Sequence, residues 1–356
     1  MNRVLFIIQF DSFIKTLIPV LKHLIQDNYN CDVILLKKQF KKKWITSEII
    51  NLFHGIRLGP NSFHQIYERE TMKRINKMDY DLIIIGTSNT RLIEKVKNQL
   101  IKYSLKAKIA SGYVGALLNN DFESFKKGLL RREKSDLIWV PGIEYKKRIL
   151  KILTNNDVKI INSGLPRFDE LYRMKNNFKQ SKNGHIVFFE QPTFPETKKE
   201  RINLVNKLII LAESNSDTKV IIKPRFRKKV GHAHRPKYLL QDIISNSESI
   251  PENLLVSNKD IYTLFTHCKL ALTISSTAGL ESLLINIPTY FISDYCSGIN
   301  KYASDDFKIL NATVSFEQVL SNQLPDINYD KVLEILRFDG HNTKRLSDAL
   351  KELIIS

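Results

Sequence analysis

The hydrophobic positions in the first half of the chain form short β-branched runs that alternate with longer amphipathic stretches. Six runs have the length of a strand: VLFIIQF, CDVILLKK, DLIIIGT, KIASGYV, LIWVPG and VKIINSG. Among them, FIKTLIPVLKHLIQ and TRLIEKVKNQLIKYSL repeat apolar residues at helical spacing. Strand-length runs separated by helical segments are typical of βα units on a parallel sheet. Residues 1–168 are therefore predicted to form one Rossmann-like α/β domain.

The alternation is interrupted after Asp169 and then resumes. The segment LYRMKNNFKQSKNG lacks apolar periodicity and is rich in Lys and Asn, so 169–184 is predicted to be an interdomain linker. Strand-like runs follow: HIVFFEQP, TKVIIKPR, NLLVS, LALTIS and PTYFIS. Helical segments lie between them, from about Glu196 to Ala212, near Tyr238 to Ser245, and at DIYTLFTHC and TAGLESLLI. This predicts a second Rossmann-like domain at 185–330 and a helical tail at 331–356, with the two α/β domains facing each other.

Length and charge agree with this division and point to an anionic partner. A chain of 356 residues exceeds the size at which one core usually keeps growing, and 43% hydrophobic residues are ordinary for a folded protein. The formal charge of +18 favours nucleic acid, acidic lipid or a phosphorylated substrate without choosing among them. The opening MNRVLFIIQF is too short for a signal-peptide core or a membrane span, so a cytoplasmic protein is expected.

Polar residues follow several predicted strands, where ligands bind in open α/β sheets. Ser275, Ser276 and Thr277 precede a helix and offer hydroxyl and backbone N–H groups to an anion, although one such Ser also suits an ordinary N-cap. Glu281, one turn later, could accept hydrogen bonds from ribose hydroxyls or be an ordinary solvated helix residue. Gln191 and Pro192 follow another strand. The GxGxxG and GxxxxGKS motifs are absent from the sequence.

The densest basic segment, KPRFRKKVGHAHRPKYL, runs from Lys223 to Leu239 and contains no acid. A solvated charged surface is the ordinary interpretation of such a run. A phosphate site is the alternative, because guanidinium groups bind phosphate oxygens in pairs and imidazole can donate to phosphate or transfer a proton. A metal site would need further ligands, and neither Cys nor carboxylate lies nearby. The candidate phosphate ligands are Lys223, Arg225, His232, His234 and Arg235.

Four short motifs together carry a resemblance to a family. They are Gly164-Leu165-Pro166-Arg167-Phe168-Asp169, Glu190-Gln191-Pro192, His234-Arg235-Pro236 and Ser275-Ser276-Thr277. In this order they resemble bacterial GT-B glycosyltransferases that build surface polysaccharides, and most of all a group of unassigned chemistry. More distantly the chain is similar to capsule Kdo transferases and polysialyltransferases, whose QP, HP and SS motifs bind a CMP-sugar. It is also similar to CDP-glycerol glycerophosphotransferases. An Arg separates His234 from Pro236, which departs from the HP pattern.

The resemblance implies two Rossmann-like domains and an inverting transferase that needs neither metal nor other cofactor. The C-terminal half would bind the nucleotide-sugar donor, with His234 acting on the departing phosphate. The N-terminal half would bind a glycan or lipid-linked glycan acceptor. Asp11 would deprotonate the acceptor hydroxyl, unless it is a helix N-cap beside Ser12. Pro166, Arg167 and Asp169 would lie at the domain junction. Asp305-Asp306 is the nearest sequence to a metal-binding DxD motif and is interpreted as a loop.

Other functions remain open at this stage. A nucleoside diphosphate sugar could replace the CMP-sugar, and an epimerase would share the fold. A nucleic-acid-binding α/β protein would explain the charge, but only Phe226 and Tyr238 stand among the cations of the main basic segment, so no nucleic-acid partner is expected. The run KKQFKKKW, from Lys37 to Trp44, is either a solvated loop or a contact with anionic lipid at the inner face of the plasma membrane.

Overall fold

The computed structural model describes residues 2–37, 52–53, 56, 58, 62–115, 122–178, 183–191, 194–225, 237–295 and 305–356. These residues divide into two units. Unit 1 contains those up to 170 and those from 334 to 356, whereas unit 2 contains those from 171 to 333. The C-terminal end of the chain thus belongs to the same unit as its beginning.

Unit 1 is built on a parallel sheet in the order β3-β2-β1-β4-β5-β6-β7. Its strands are β1 (Arg3–Ile8), β2 (Asn30–Leu36), β3 (Phe63–Ile66), β4 (Leu82–Gly86), β5 (Lys108–Gly112), β6 (Leu137–Val140) and β7 (Lys159–Asn162). The direction of strand addition reverses between β1 and β4, which pair in register from Val4 opposite Leu82. In such sheets the reversal point is where ligands bind.

Unit 2 is built on a second parallel sheet in the order β10-β9-β8-β11-β12-β13. Its strands are β8 (His185–Phe189), β9 (Val220–Lys223), β10 (Leu254–Val256), β11 (Cys268–Thr273), β12 (Thr289–Ile292) and β13 (Thr313–Val314). Here the order reverses between β8 and β11, which pair from Leu270 opposite Ile186 to Thr273 opposite Phe189. Each unit therefore has one reversal point at the carboxyl edge of its sheet.

Helices cover both faces of each sheet. They are α1 (Asp11–Gln26), α2 (Glu68–Ile75), α3 (Arg91–Lys102), α4 (Phe122–Arg132), α5 (Ile143–Leu150), α6 (Phe168–Met174), α7 (Lys198–Glu213), α8 (Leu240–Ser245), α9 (Ile261–Phe265), α10 (Thr277–Leu284), α11 (Asp305–Lys308), α12 (Phe316–Leu320), α13 (Tyr329–Ile335) and α14 (Asn342–Ile355). Residues on α1 and α14 pack on one face of the first sheet, and residues on α3 pack on the other. None of these helices is long and apolar enough to cross a bilayer.

The predicted fold class, two Rossmann-like α/β units of strands and helices in alternation, is confirmed. The differences lie where the signal is short. Helix α6 occupies the start of the segment expected to be a linker, because Leu171 within it is buried although its neighbours are polar. Strand β13 has two residues, too few for a period-2 pattern to be read.

The helical tail folds back onto unit 1 and is fixed there by the segment that contains Gly164 and Asp169. The Asp169 carboxylate accepts hydrogen bonds from the backbone N–H groups of Asn342 (3.0 Å) and Thr343 (2.7 Å) and so caps α14. Gly164 has a φ of +74°, and a Cβ there would lie 2.1 Å from the Asn342 Oδ1 atom. A side chain at 164 would therefore be strained and would also strike the start of α14.

Candidate functional site

The carboxyl edge of the unit 2 sheet brings together the ends of β8 and β11. The Thr273 hydroxyl donates to the Phe189 carbonyl (2.8 Å) and accepts from the Ser276 N–H (3.2 Å). Gly279 permits α10 to lie close to the sheet, since a Cβ there would be 2.8 Å from Thr273 Cγ2. These contacts fix the beginning of α10 beside the loop that follows β8.

Gln191 and Ser275, which the sequence placed after two different strands, are in direct contact. The Gln191 side-chain amide donates to the Ser275 carbonyl (3.2 Å) and to the Ser275 hydroxyl (3.1 Å). Its carbonyl oxygen Oε1 is buried without a protein partner. Two of the residues assigned to nucleotide binding thus form one cluster at the reversal point.

Ser276 is the N-cap of α10, and Thr277 is the first residue of the helix. The Ser276 hydroxyl accepts from the Ala278 N–H at 3.3 Å. The ordinary capping role considered for one Ser is therefore present, while Ser275 belongs to the Gln191 cluster. The helix N-terminus carries partial positive charge, so this edge of unit 2 can accept an anion. Glu281, in the second turn of α10, is only 8% exposed and is not a solvated helix residue.

A buried ion pair organises the loops around this cluster. Glu190 is 3% exposed and Arg201 is 1% exposed, and Arg201 Nη1 lies 3.0 Å from Glu190 Oε1. Arg201 also donates from Nε to the Pro195 carbonyl (2.8 Å) and from Nη2 to the Gln191 carbonyl (3.3 Å). Burial raises the pKa of the Glu190 carboxyl above its ordinary value, and the Arg201 guanidinium opposes that shift. Arg201 thus fixes the backbone of the loop that carries Gln191.

Glu190 also connects this loop to the basic segment. Its carboxylate accepts backbone hydrogen bonds from Arg225, near the start of that segment, and from Leu240, directly after its end. Lys223, the last residue of β9, is buried, whereas Arg225 is exposed. The ion pair of Glu190 and Arg201 therefore positions the loop that carries Gln191 and the ends of the basic segment, both of which the sequence assigned to phosphate binding.

Sequence reasoning missed Arg201, although a signal was present. Arg201 lies in phase with Leu204, Val205 and Leu208, the buried positions of α7. An Arg at a buried position of an amphipathic helix requires a partner, and Glu190 is an acid that follows a strand.

Several predicted site residues lie outside the described part of the chain: Pro192, His232, His234 and Arg235. Their roles stay predictions. Among the described residues, no group of three His, Cys, Asp or Glu side chains could hold a metal ion.

In unit 1, Asp11 lies at the carboxyl end of β1 as the first residue of α1, with Phe10 at the N-cap position. Asp11 is therefore not the N-cap, although a carboxylate in the first turn interacts favourably with the helix dipole. Beside it, the Thr87 hydroxyl donates to the Gln9 side-chain carbonyl, which connects the ends of β4 and β1. Asp11 thus lies at the reversal point of its sheet, and its role as a base stays a prediction.

The three residues assigned to the domain junction belong to unit 1. Asp169 caps α14, and Pro166 is buried. The Arg167 guanidinium lies 4.7 Å from the Phe168 ring centroid, and its Nε and Nη2 atoms are buried without a hydrogen-bond partner. Their role at the junction stays a prediction.

Comparison by sequence identifies the family. Residues 4–305 match the model of the family described as "Putative glycosyltransferase (DUF6716)". The chain belongs to this family. The prediction of an enzyme of the glycosyltransferase type is confirmed at that level. No curated protein matches the sequence significantly.

Solved structures of GT-B type share the fold of this family member along nearly its whole length. The UDP-GlcNAc 2-epimerase of Methanocaldococcus jannaschii, in complex with UDP-GlcNAc and UDP, is similar with a TM-score of 0.65 and 15% identity over 98% of this chain and 99% of that one. The calicheamicin glycosyltransferase CalG4 is similar with a TM-score of 0.62 and 9% identity over 99% of this chain and 98% of that one. The wall teichoic acid polymerase TagF is similar with a TM-score of 0.51 and 13% identity over 99% of this chain and 88% of that one. At these identities the likeness concerns the fold.

Proposed function

We propose that this protein transfers a sugar from a nucleotide-sugar donor to a surface-glycan acceptor, and that the nucleotide binds at the carboxyl edge of unit 2. The observation that carries the proposal is the contact between Gln191 and Ser275 beside the start of α10. Amide, hydroxyl and helix N-terminal N–H groups at a strand-order reversal are suited to ribose and phosphate. The basic segment begins beside them, since Glu190 bonds the N–H of Arg225.

The donor we favour is a CMP-sugar. Its leaving group carries one phosphate, which cationic side chains and a helix N-terminus can stabilise without a metal ion. The motifs that resemble the CMP-sugar transferases include Gln191 and Ser275, the pair in contact. Sugars of the sialic acid or Kdo type are the corresponding donors.

Asp11 is the proposed base. It would take the proton of the acceptor hydroxyl as that oxygen attacks the anomeric carbon and the bond from this carbon to the phosphate oxygen breaks. Attack from the face opposite the nucleotide inverts the configuration. His234 and Arg235 would stabilise the charge that develops on the departing CMP.

The acceptor is proposed to be a glycan or lipid-linked glycan at the inner face of the plasma membrane. The basic run that begins at Lys37 would contribute attraction to anionic lipid. Only Lys37 of that run falls in the described part of the chain.

The test is incubation of the full-length protein with CMP-sugars and nucleoside diphosphate sugars, with and without a pool of surface glycans, followed by mass spectrometry. The proposal predicts glycans that gain one sugar and an equal amount of released CMP. The Asp11→Ala variant should lose transfer yet bind the nucleotide almost as before, whereas Ser276→Ala should bind it more weakly. Full turnover by Asp11→Ala would exclude Asp11 as the base.

An epimerase is the second candidate, because the M. jannaschii epimerase shares the fold over almost all of the chain. It predicts a nucleotide sugar of unchanged mass but altered configuration when no acceptor is added. That product would replace the transferase proposal.

A further inference from the structure

Unit 1 contains a buried arginine that lacks a carboxylate partner among the described residues. Arg132, the last residue of α4, is 4% exposed. Its Nη2 atom donates to the Thr87 carbonyl at 3.2 Å, while Nε and Nη1 are buried with no hydrogen-bond partner. The neighbouring acid, Glu133, accepts instead from the N–H and the hydroxyl of Thr154. The positive charge of Arg132 is therefore buried, and its Nε and Nη1 donors form no hydrogen bond of good geometry with any described residue.

A partly exposed tyrosine, Tyr113, lies against this guanidinium with its hydroxyl buried. The Cζ atom of Arg132 is 4.5 Å from the ring centroid of Tyr113, whose buried hydroxyl interacts with the Arg132 guanidinium but has no hydrogen bond of good geometry to any described residue. The Tyr113 ring packs on those of Phe125 (5.8 Å between centroids) and Tyr145 (5.5 Å). Burial raises the pKa of the Tyr113 hydroxyl, and the nearby Arg132 charge opposes that shift, so the hydroxyl keeps its proton as a donor.

A second cation lies near the same aromatic group. The Arg148 guanidinium lies 4.5 Å from the Phe125 ring centroid, on the same aromatic group. A cation–π contact offsets only part of the cost of removing a guanidinium from water, and each buried donor left unpaired adds to that cost. An oxyanion placed against Arg132 and Tyr113 would accept hydrogen bonds from these donors and balance the positive charge of Arg132.

The position of this pair agrees with a role in substrate binding. Thr87 follows β4 and Tyr113 follows β5, so Arg132 joins the carboxyl ends of two adjacent strands. The Thr87 hydroxyl in turn bonds Gln9 at the end of β1, two residues before Asp11. The pair therefore lies on the edge of unit 1 that carries the proposed base.

We propose that Arg132 and Tyr113 form an oxyanion site that binds a carboxylate or phosphate group of the acceptor. The assignment of the anion to the acceptor rests on the proposed function, whereas the existence of the oxyanion site does not. The unpaired nitrogens of Arg132 would hold two oxygens of the anion, and the Tyr113 hydroxyl would donate to one of them. Because the nitrogens are enclosed, the aromatic rings must separate to admit the group, after which low polarity strengthens the hydrogen bonds.

The test uses thermal unfolding of the full-length protein in sodium phosphate against sodium chloride of equal ionic strength. Phosphate raises the Tm of most proteins by exclusion, so each variant supplies its own general response. Arg132→Met should be as stable as the wild type in chloride or more so, because it removes a buried charge that has no carboxylate partner among the described residues, and it should lose most of the specific response to phosphate. Tyr113→Phe keeps the ring and should lower the apparent phosphate affinity about tenfold.

The second arm separates this site from the nucleotide site. Ser276→Ala should keep the specific phosphate response, since it alters unit 2 only. Loss of the response in Ser276→Ala, its full retention in Arg132→Met, or a large drop in the chloride Tm of Arg132→Met would each overturn the proposal. Should Arg132→Met not fold, Arg132→Lys keeps the charge and must still lose most of the affinity for phosphate. Nucleotide binding without a specific phosphate response would leave the proposed function intact and reject only this site.

Discussion

At the carboxyl edge of the unit 2 sheet, all three guanidinium nitrogens of Arg201 have hydrogen-bond partners, whereas at the carboxyl edge of the unit 1 sheet only Nη2 of Arg132 forms a hydrogen bond of good geometry with a described residue. Both side chains are almost completely buried. All three nitrogens of Arg201 hold the loop that carries Gln191 and, through Glu190, the ends of the basic segment. The remaining donors of Arg132 are proposed to bind an oxyanion. The same residue type therefore serves as a structural support in one unit and as a proposed ligand-binding group in the other.

We expect the largest loss of stability when the buried ion pair of Glu190 and Arg201 is broken. Glu190→Gln leaves the Arg201 charge buried without its acid, so the free energy of unfolding should fall by about 3–5 kcal/mol. Arg201→Met should also destabilise, because Glu190 is then left unpaired. Chemical denaturation measures both, with the exposed Glu213→Gln as the matched control. Arg132→Met should show no such loss, and equal losses at 201 and 132 would remove the distinction between the two arginines.

The contact between Gln191 and Ser275 should matter for binding more than for stability. Gln191→Ala removes two hydrogen bonds at the reversal point. We expect the affinity for the preferred nucleotide to fall about tenfold, while the free energy of unfolding changes by less than about 1 kcal/mol. Calorimetric titration checks the affinity, with Ser321→Ala, on the surface of unit 2, as control. An unchanged affinity would contradict the placement of the nucleotide.

The edge of unit 1 depends on the cap that holds α14. Asp169→Ala removes the acceptor for the N–H groups of Asn342 and Thr343, so the free energy of unfolding should fall by about 1 kcal/mol. Asp169→Asn should lose less, because its side-chain oxygen can still cap the helix. The exposed Asp157→Ala is the control for denaturation measurements. A loss of nucleotide affinity without loss of stability would instead favour the junction role inferred from the resemblance.

The smallest effect concerns ion pairs at the surface of unit 1. Hydrogen bonds from Lys351 hold the pKa of Asp27 below its ordinary value of 3.8, and those from Lys344 and Lys351 do so for Asp348. Since both carboxyl pKa values are lowered in the folded protein, their stabilisation is present above pH 4 and is lost as the pH falls through the lowered values. Between pH 5 and pH 3, the Tm of Lys351→Met should fall less steeply with falling pH than the Tm of the wild type. Equal slopes would show that these pairs contribute nothing.

The sequence predicts much of the fold because strand-length and helical runs alternate with little interruption. It also assigns Gln191 and Ser275 to one nucleotide site, since ligands bind beyond the carboxyl ends of parallel strands, but it does not predict their direct contact. It does not reveal the roles of Arg201 and Arg132. The phase of Arg201 with the buried positions of α7 indicates burial, but the sequence does not show which groups either guanidinium contacts. Nor does it reveal that Asp169 caps a helix beginning at Asn342, because that contact spans 173 residues and depends on how the tail folds back.

We propose that unit 2 binds the nucleotide of a sugar donor, and calorimetric titration of the full-length protein is the decisive experiment. The ligands are CMP, CDP, UDP, GDP and a short RNA, each with and without magnesium. We expect CMP to bind most tightly of these ligands, with the same affinity in the presence and absence of magnesium. A preference for a diphosphate would keep the fold-level assignment but replace the donor. Binding of RNA alone, or of none of these ligands, would contradict the claim.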